Sequence, residues 1–169
     1  MVSAARRALA VLLFMTTTAH VVAGQSTASA PIDVYELADY RLTADVFDRF
    51  VRASAGVAEI TSQDASLRYA PLFTKDVALA GDAVAEASGL VARLENHSGL
   101  AAALAAEKLT AREYAKFAIT LIAAHLAQGF LASGVLPRVP AGAPTINVEF
   151  VKAHDADVTS VLATLGIRD

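Results

Sequence analysis

The chain has 169 residues, 55% of them apolar, with 14 Lys and Arg against 17 Asp and Glu and no cysteine. That length suits one domain with a real core. The lack of cysteine excludes disulfides, thiolate zinc sites, CxxCH haem attachment, a lipid-modified N-terminal cysteine and cysteine nucleophiles.

Residues 1–24, MVSAARRALAVLLFMTTTAHVVAG, have the three parts of a cleavable export signal: Arg6 and Arg7, an apolar stretch from Ala8 to Met15, and the small residues Val22-Ala23-Gly24 before a cut. The apolar stretch is too short to cross about 30 Å of hydrocarbon, so the mature protein is expected to begin near Gln25 in the periplasm or outside the cell. Removing Arg6 and Arg7 lowers the 14 basic residues to 12 against 17 acids, so the net charge moves from −3 to −5. No basic cluster is present to bind nucleic acid or an anionic membrane surface.

Residues 25–41 read as an N-terminal arm of open structure, packed by Tyr35, Leu37 and Tyr40, and residues 42–169 as a helical domain. Thr43 is a candidate N-cap for a helix with Leu42, Val46, Phe47, Phe50 and Val51 on one face, ending between Gly56 and Ile60. TSQDAS (61–66) reads as a loop, and Pro71 interrupts the segment up to Phe73. A helix is expected over 75–87 behind a Thr74 cap, then punctuation at Ser88-Gly89, a short run over 90–96, and a third piece capped by Ser98.

Thr110-Ala111-Arg112-Glu113 is a capping box directly before an apolar periodic run. It predicts a helix from Ala111 to about Ser133, with Gly134 suited to a left-handed cap. Tyr114, Phe117, Ala118, Leu121, Ile122, His125, Leu126, Gly129 and Phe130 form its large-residue stripe, and the other face is mostly small. The run is long enough to cross a bilayer. Its uninterrupted apolar part, however, covers only Phe117 to Ala124 and is itself broken by Thr120, with Lys116, His125 and Gln128 close by. A charged residue near the centre of a span costs about 3 kcal/mol, so the pattern is that of a core helix, and no integral span is expected after signal cleavage. A proline-rich joint over 137–144 follows. Thr145 or Asn147 then caps one last helix, about 146–165, with Phe150, Val151, His154, Val158, Val161, Leu162 and Leu165 on one stripe and Gly166 at its end.

Few residues carry chemistry. His125 and His154 sit on the apolar stripes of two helices that the joint brings together, and Asp157 shares the face of His154. Two imidazoles and a carboxylate make an acceptable set for a divalent metal, although no HExxH-type spacing accompanies them. The competing reading is a buried histidine bonded to a backbone carbonyl, to Asn147 or to a tyrosine. His97 is placed to interact as a cation with a helix C-terminus. Glu95, Glu107, Glu113 and Glu149 read as solvated or capping, and no nucleophile elbow or glycine-rich phosphate loop is present. An enzyme is not expected, and no cofactor is implied.

LENHSGLAAALAAEKLTAREYAKFAITLIAAHLAQGF, followed by NVEFVKAHDADVTSVL, with YRLTADVFDRF nearer the start, resembles a family of small exported all-helical bacterial proteins without an assigned activity. The resemblance implies a helical exported protein and carries over no ligand or catalytic residue. The sequence therefore predicts an all-α fold, an irregular bundle of four to five helices around a central helix at about 111–133. Its expected function is a non-enzymatic module that binds a protein partner or a small apolar ligand, with a metal site at His125, His154 and Asp157 as the alternative.

Overall fold

A computed structural model describes residues 30–68, 83–139 and 144–167. The signal segment, Pro71, the Thr74 cap and most of the predicted 75–87 helix lie outside these residues. Among the described residues all regular structure is helical, in eight segments: α1 (Val34–Ala38), α2 (Ala44–Gln63), α3 (Ala65–Arg68), α4 (Ala83–Asn96), α5 (Ser98–Ala106), α6 (Ala111–Ala132), α7 (Thr145–Ala153) and α8 (Asp155–Thr164). The all-α class and the central 111–133 helix are as the sequence predicts. The number of pieces is larger than expected, because several are single-turn or two-turn helices.

Helix α6 is the axis. Thr110 Oγ1 accepts from the Glu113 backbone N–H at 3.0 Å, and Gly134 follows the helix end at φ +72°. Tyr114, Phe117 and Leu121 are fully buried, and so, nearly, are Ala115, Ala118 and Ala124 on other sides. A helix covered all round needs neighbours all round, and α1, α2, α4, α5, α7 and α8 all contact it. By length and composition α6 could cross a membrane, but half of its most apolar window is buried within the fold.

Two boundaries and one buried face differ from the sequence pattern, each because burial outweighs local propensity. Helix α2 continues past the expected end between Gly56 and Ile60 to Gln63, into the 61–66 stretch that the sequence reads as a loop. A side chain at Gly56 would meet Ala103 Cβ at 3.3 Å, so glycine here serves the close approach of α2 to α5. Val51, placed on the apolar face by spacing, is exposed, and Ala53, Ser54 and Val57 are buried instead. Helix α4 passes unbroken through Ser88-Gly89, because Ala87, Leu90, Val91 and Leu94 form one buried stripe across that pair.

The predicted last helix is two. The backbone breaks at His154 (φ −119°, ψ 25°), and Gly166 at φ +80° ends the second piece. Neither Thr145 nor Asn147 caps α7; Pro144 occupies that position. Asn147 is instead fully buried, with its Oδ1 accepting from Leu42 N–H at 3.0 Å and its Nδ2 donating to the Tyr40 carbonyl at 2.9 Å. It supplies the chain entering α2 with the hydrogen bonds that buried backbone requires. Replacing Asn147 by Ala strands both groups and is expected to destabilise the protein by about 2 to 3 kcal/mol, read as a lower midpoint in urea denaturation.

Candidate functional site

The arm is anchored more tightly than its composition suggests. Ile32, only 2% exposed, buries its side chain, and its N–H donates to Ser88 Oγ of α4 at 3.0 Å. Tyr35, expected to pack the arm, is 74% exposed. Asp33 and Glu36 form the reciprocal capping box of α1: Asp33 Oδ1 accepts from Tyr35 N–H, and Glu36 Oε1 accepts from Asp33 N–H.

Glu36 also accepts two bonds from Arg112 of α6 and one from Lys116 Nζ at 3.3 Å, while the Arg112 guanidinium reaches the carbonyls of Ala30 at 2.6 Å and Pro31 at 3.2 Å. A planar fork suits this double task, holding a carboxylate and backbone oxygens at once. The Arg112 contact, then the Asp33 N–H and Lys116, hold the Glu36 carboxyl down at about 2. Lys116 also lies over the Tyr40 ring, 5.4 Å from its centroid.

Strapping α1 across α6 leaves a pocket of about 240 Å³ beneath it. Helix α1 contributes Val34, Leu37 and Ala38, and α6 contributes Ile119, Thr120, Ala123 and Ala124; among the described residues, Ala83 and Val84 of α4 and Pro144 with Asn147 at the start of α7 also line it. No charged side chain is among these lining residues. Asn147 is engaged on both its oxygen and its nitrogen by the α2 entry. Thr120 is 7% exposed, and its hydroxyl has no hydrogen-bond partner among the described residues. A second, larger groove of about 420 Å³ lies between α2 and α8. It is more polar and more open, with Arg52 on its rim paired to Glu107 at 2.6 Å.

None of the predicted metal residues is among the lining residues of the pocket under α1, and Asp157 lines the groove between α2 and α8. His125 is half-buried on α6. His154 Nδ1–H donates to the Phe150 carbonyl at 2.9 Å, and the ring stacks on Phe150 (centroids 4.3 Å) and meets Phe47 edge-on at 5.7 Å. This is the core-histidine arrangement, with the ring extending the aromatic group of Phe47, Phe50, Tyr114 and Phe117. Asp157 is exposed in the first turn of α8, where a carboxylate complements the helix dipole. Among the described residues no group of three or more His, Asp or Glu side chains is placed to hold a metal ion, so these three residues are not drawn into one ligand set.

His97 acts at the other helix end from the one expected. Its Nδ1 accepts from Leu100 N–H at 3.2 Å, capping the N-terminus of α5 in place of Ser98, and its Nε2–H donates to Asp64 Oδ2 at 3.1 Å. Ser66 and then His97 hold the Asp64 carboxyl down at about 2. All three side chains are thus occupied in joining the end of α2 to α5.

Compared with known proteins, the chain matches no family model, no curated protein and no solved structure.

Thr120 stands in the sequence as the one polar break in the Phe117–Ala124 run, and that break is the signal that it lines a pocket. Arg112 carries no local signal of its role, because its partner Glu36 lies 76 residues away. Because the Glu36 carboxyl is depressed from 4.5 to about 2, its contribution is fully present above pH 4.5 and is lost as pH falls from there through 2. Measured as protection relative to the intrinsic rate at each pH, hydrogen exchange at Ile32 and Tyr35 is expected to lose protection as pH falls from 4.5 toward 2 in the wild type. In Glu36→Gln that protection is expected to be low already at neutral pH.

Proposed function

We propose that the protein is an exported, non-enzymatic binding module that holds a small apolar molecule in the pocket between α1 and α6. The observation that carries this reading is the pocket itself: an apolar recess at the middle of the central helix, roofed by a separately anchored helix and with no charged side chain among its described lining residues. Apolar concavities with very few polar groups are the usual form of small-molecule sites. By comparison, an engineered cavity of about 150 Å³ takes up benzene. The export signal and the resemblance to small exported helical proteins support a periplasmic or secreted location, and the acidic balance of the mature chain supports a non-nucleic-acid role.

Filling the recess tests the reading. Ala123→Phe places an aromatic ring in the pocket and is expected to leave the melting temperature unchanged or raised while abolishing binding of indane measured by titration calorimetry. Equal binding by wild type and variant would move the site elsewhere. For the location, intact mass of the protein recovered from the exported fraction is expected to correspond to a chain beginning near Gln25; a retained leader would overturn that part.

A further inference from the structure

We infer that Thr120 selects the pocket's occupant, which belongs to the class of neutral, compact, largely apolar molecules bearing one hydrogen-bonding oxygen, such as a cyclic ketone or alcohol of about ten non-hydrogen atoms. The inference rests on the binding reading above and adds the chemical class of the ligand.

Charge is the first discriminator. A carboxylate or ammonium entering the pocket would lose its water and meet no opposite charge from the described lining side chains, none of which is ionisable. Arg112, Lys116 and Glu36 are close in sequence to the site but are engaged with one another and with the arm's carbonyls. The occupant is therefore neutral.

The hydroxyl is the second. A threonine inside a helix ordinarily bonds the carbonyl one turn back, as Thr61 does with Val57 at 2.8 Å and Thr164 with Ser160 at 3.0 Å. Thr120 makes no such bond and is buried. Threonine in a helix has two accessible χ1 wells, so rotation turns its hydroxyl toward the pocket at small cost once an acceptor or donor is there. Asn147, the other polar lining residue, is committed to Leu42 and Tyr40. One unpaired group against otherwise apolar walls matches a ligand with one polar atom. A water molecule is poorly matched, because a buried water needs two to four polar partners, so the ligand displaces it readily.

The experiment compares 1-indanone with indane, which differ by the carbonyl oxygen, on the mature chain by titration calorimetry. Taking the ratio of the two affinities cancels the shared apolar contact, and comparing that ratio between proteins cancels the hydration of the ketone. The indanone-to-indane ratio is expected to fall about tenfold in Thr120→Val and to be kept in Thr120→Ser. In wild type the bound ketone's infrared carbonyl stretch is expected to move to lower frequency than in an apolar solvent, a measurement that needs no variant. Both ligands binding with the ratio unchanged in Thr120→Val, or a carbonyl stretch left at its apolar value, would overturn the role of Thr120 and leave the pocket reading intact. Failure of both ligands to bind wild type would overturn the pocket reading and this inference together.

Discussion

Everything in this fold follows from the need to cover α6 on every side. A helix carrying Tyr114, Phe117 and Leu121 on one face and Ala115, Ile119 and Ala124 on others has no face that water can be left with. Two long partners do not suffice for that. The chain meets the demand with six contacting helices, several too short to be stable alone, and their shortness explains why they are helical only in place. Gly56 inside α2 and the Ser88-Gly89 pair inside α4 are kept helical by the buried stripes around them, at positions where isolated peptides would fray.

Without disulfides, segments that lack enough apolar surface of their own must be held by polar contacts to the axis. The arm shows this at both ends. Arg112 gathers Glu36 and the carbonyls of Ala30 and Pro31 at one end, and Asn147 holds Tyr40 and Leu42 at the other. The two fastenings differ in kind. The first is at the surface, where ion pairs are weak individually and screened by salt. The second is buried, where an unmade hydrogen bond is costly. Helix α1 between them is thus pinned firmly at its exit and more loosely at its entrance, and the pocket lies under that span.

What the sequence made legible was what local chemistry decides: the Thr110 cap, the Gly134 and Gly166 stops, and the apolar run of α6. What it hid depends on contacts between residues far apart in the chain. Asn147 looked like a cap because asparagine favours caps, and nothing within α7 reveals that Leu42, 105 residues away, needs its oxygen. His154 looked like part of a helical stripe, but bonding of its own ring to Phe150 and stacking against Phe47 accompany a break in the helix there. The T-x-x-E box was read as reciprocal. In the fold the threonine half is made, while Glu113 Oε1 stands 3.9 Å from Arg49, and the fully reciprocal box is the aspartate version at 33–36.

Most of the conspicuous polar side chains have a structural task. Histidines are the obvious candidates for chemistry, yet His97 has both ring nitrogens occupied in joining α2 to α5, and the ring of His154 is enclosed by aromatic neighbours. Acids that might act are spent on guanidinium partners: Asp45 on Arg49, Glu86 on Arg93, Glu107 on Arg52. Set beside these engaged side chains, a buried hydroxyl without a partner among the described residues is more informative than a conspicuous imidazole. Nothing in the packing of α6 requires an oxygen at position 120, since valine has the same shape and would carry no desolvation penalty. On the reading proposed above, that oxygen serves a molecule that enters the pocket and bonds to it.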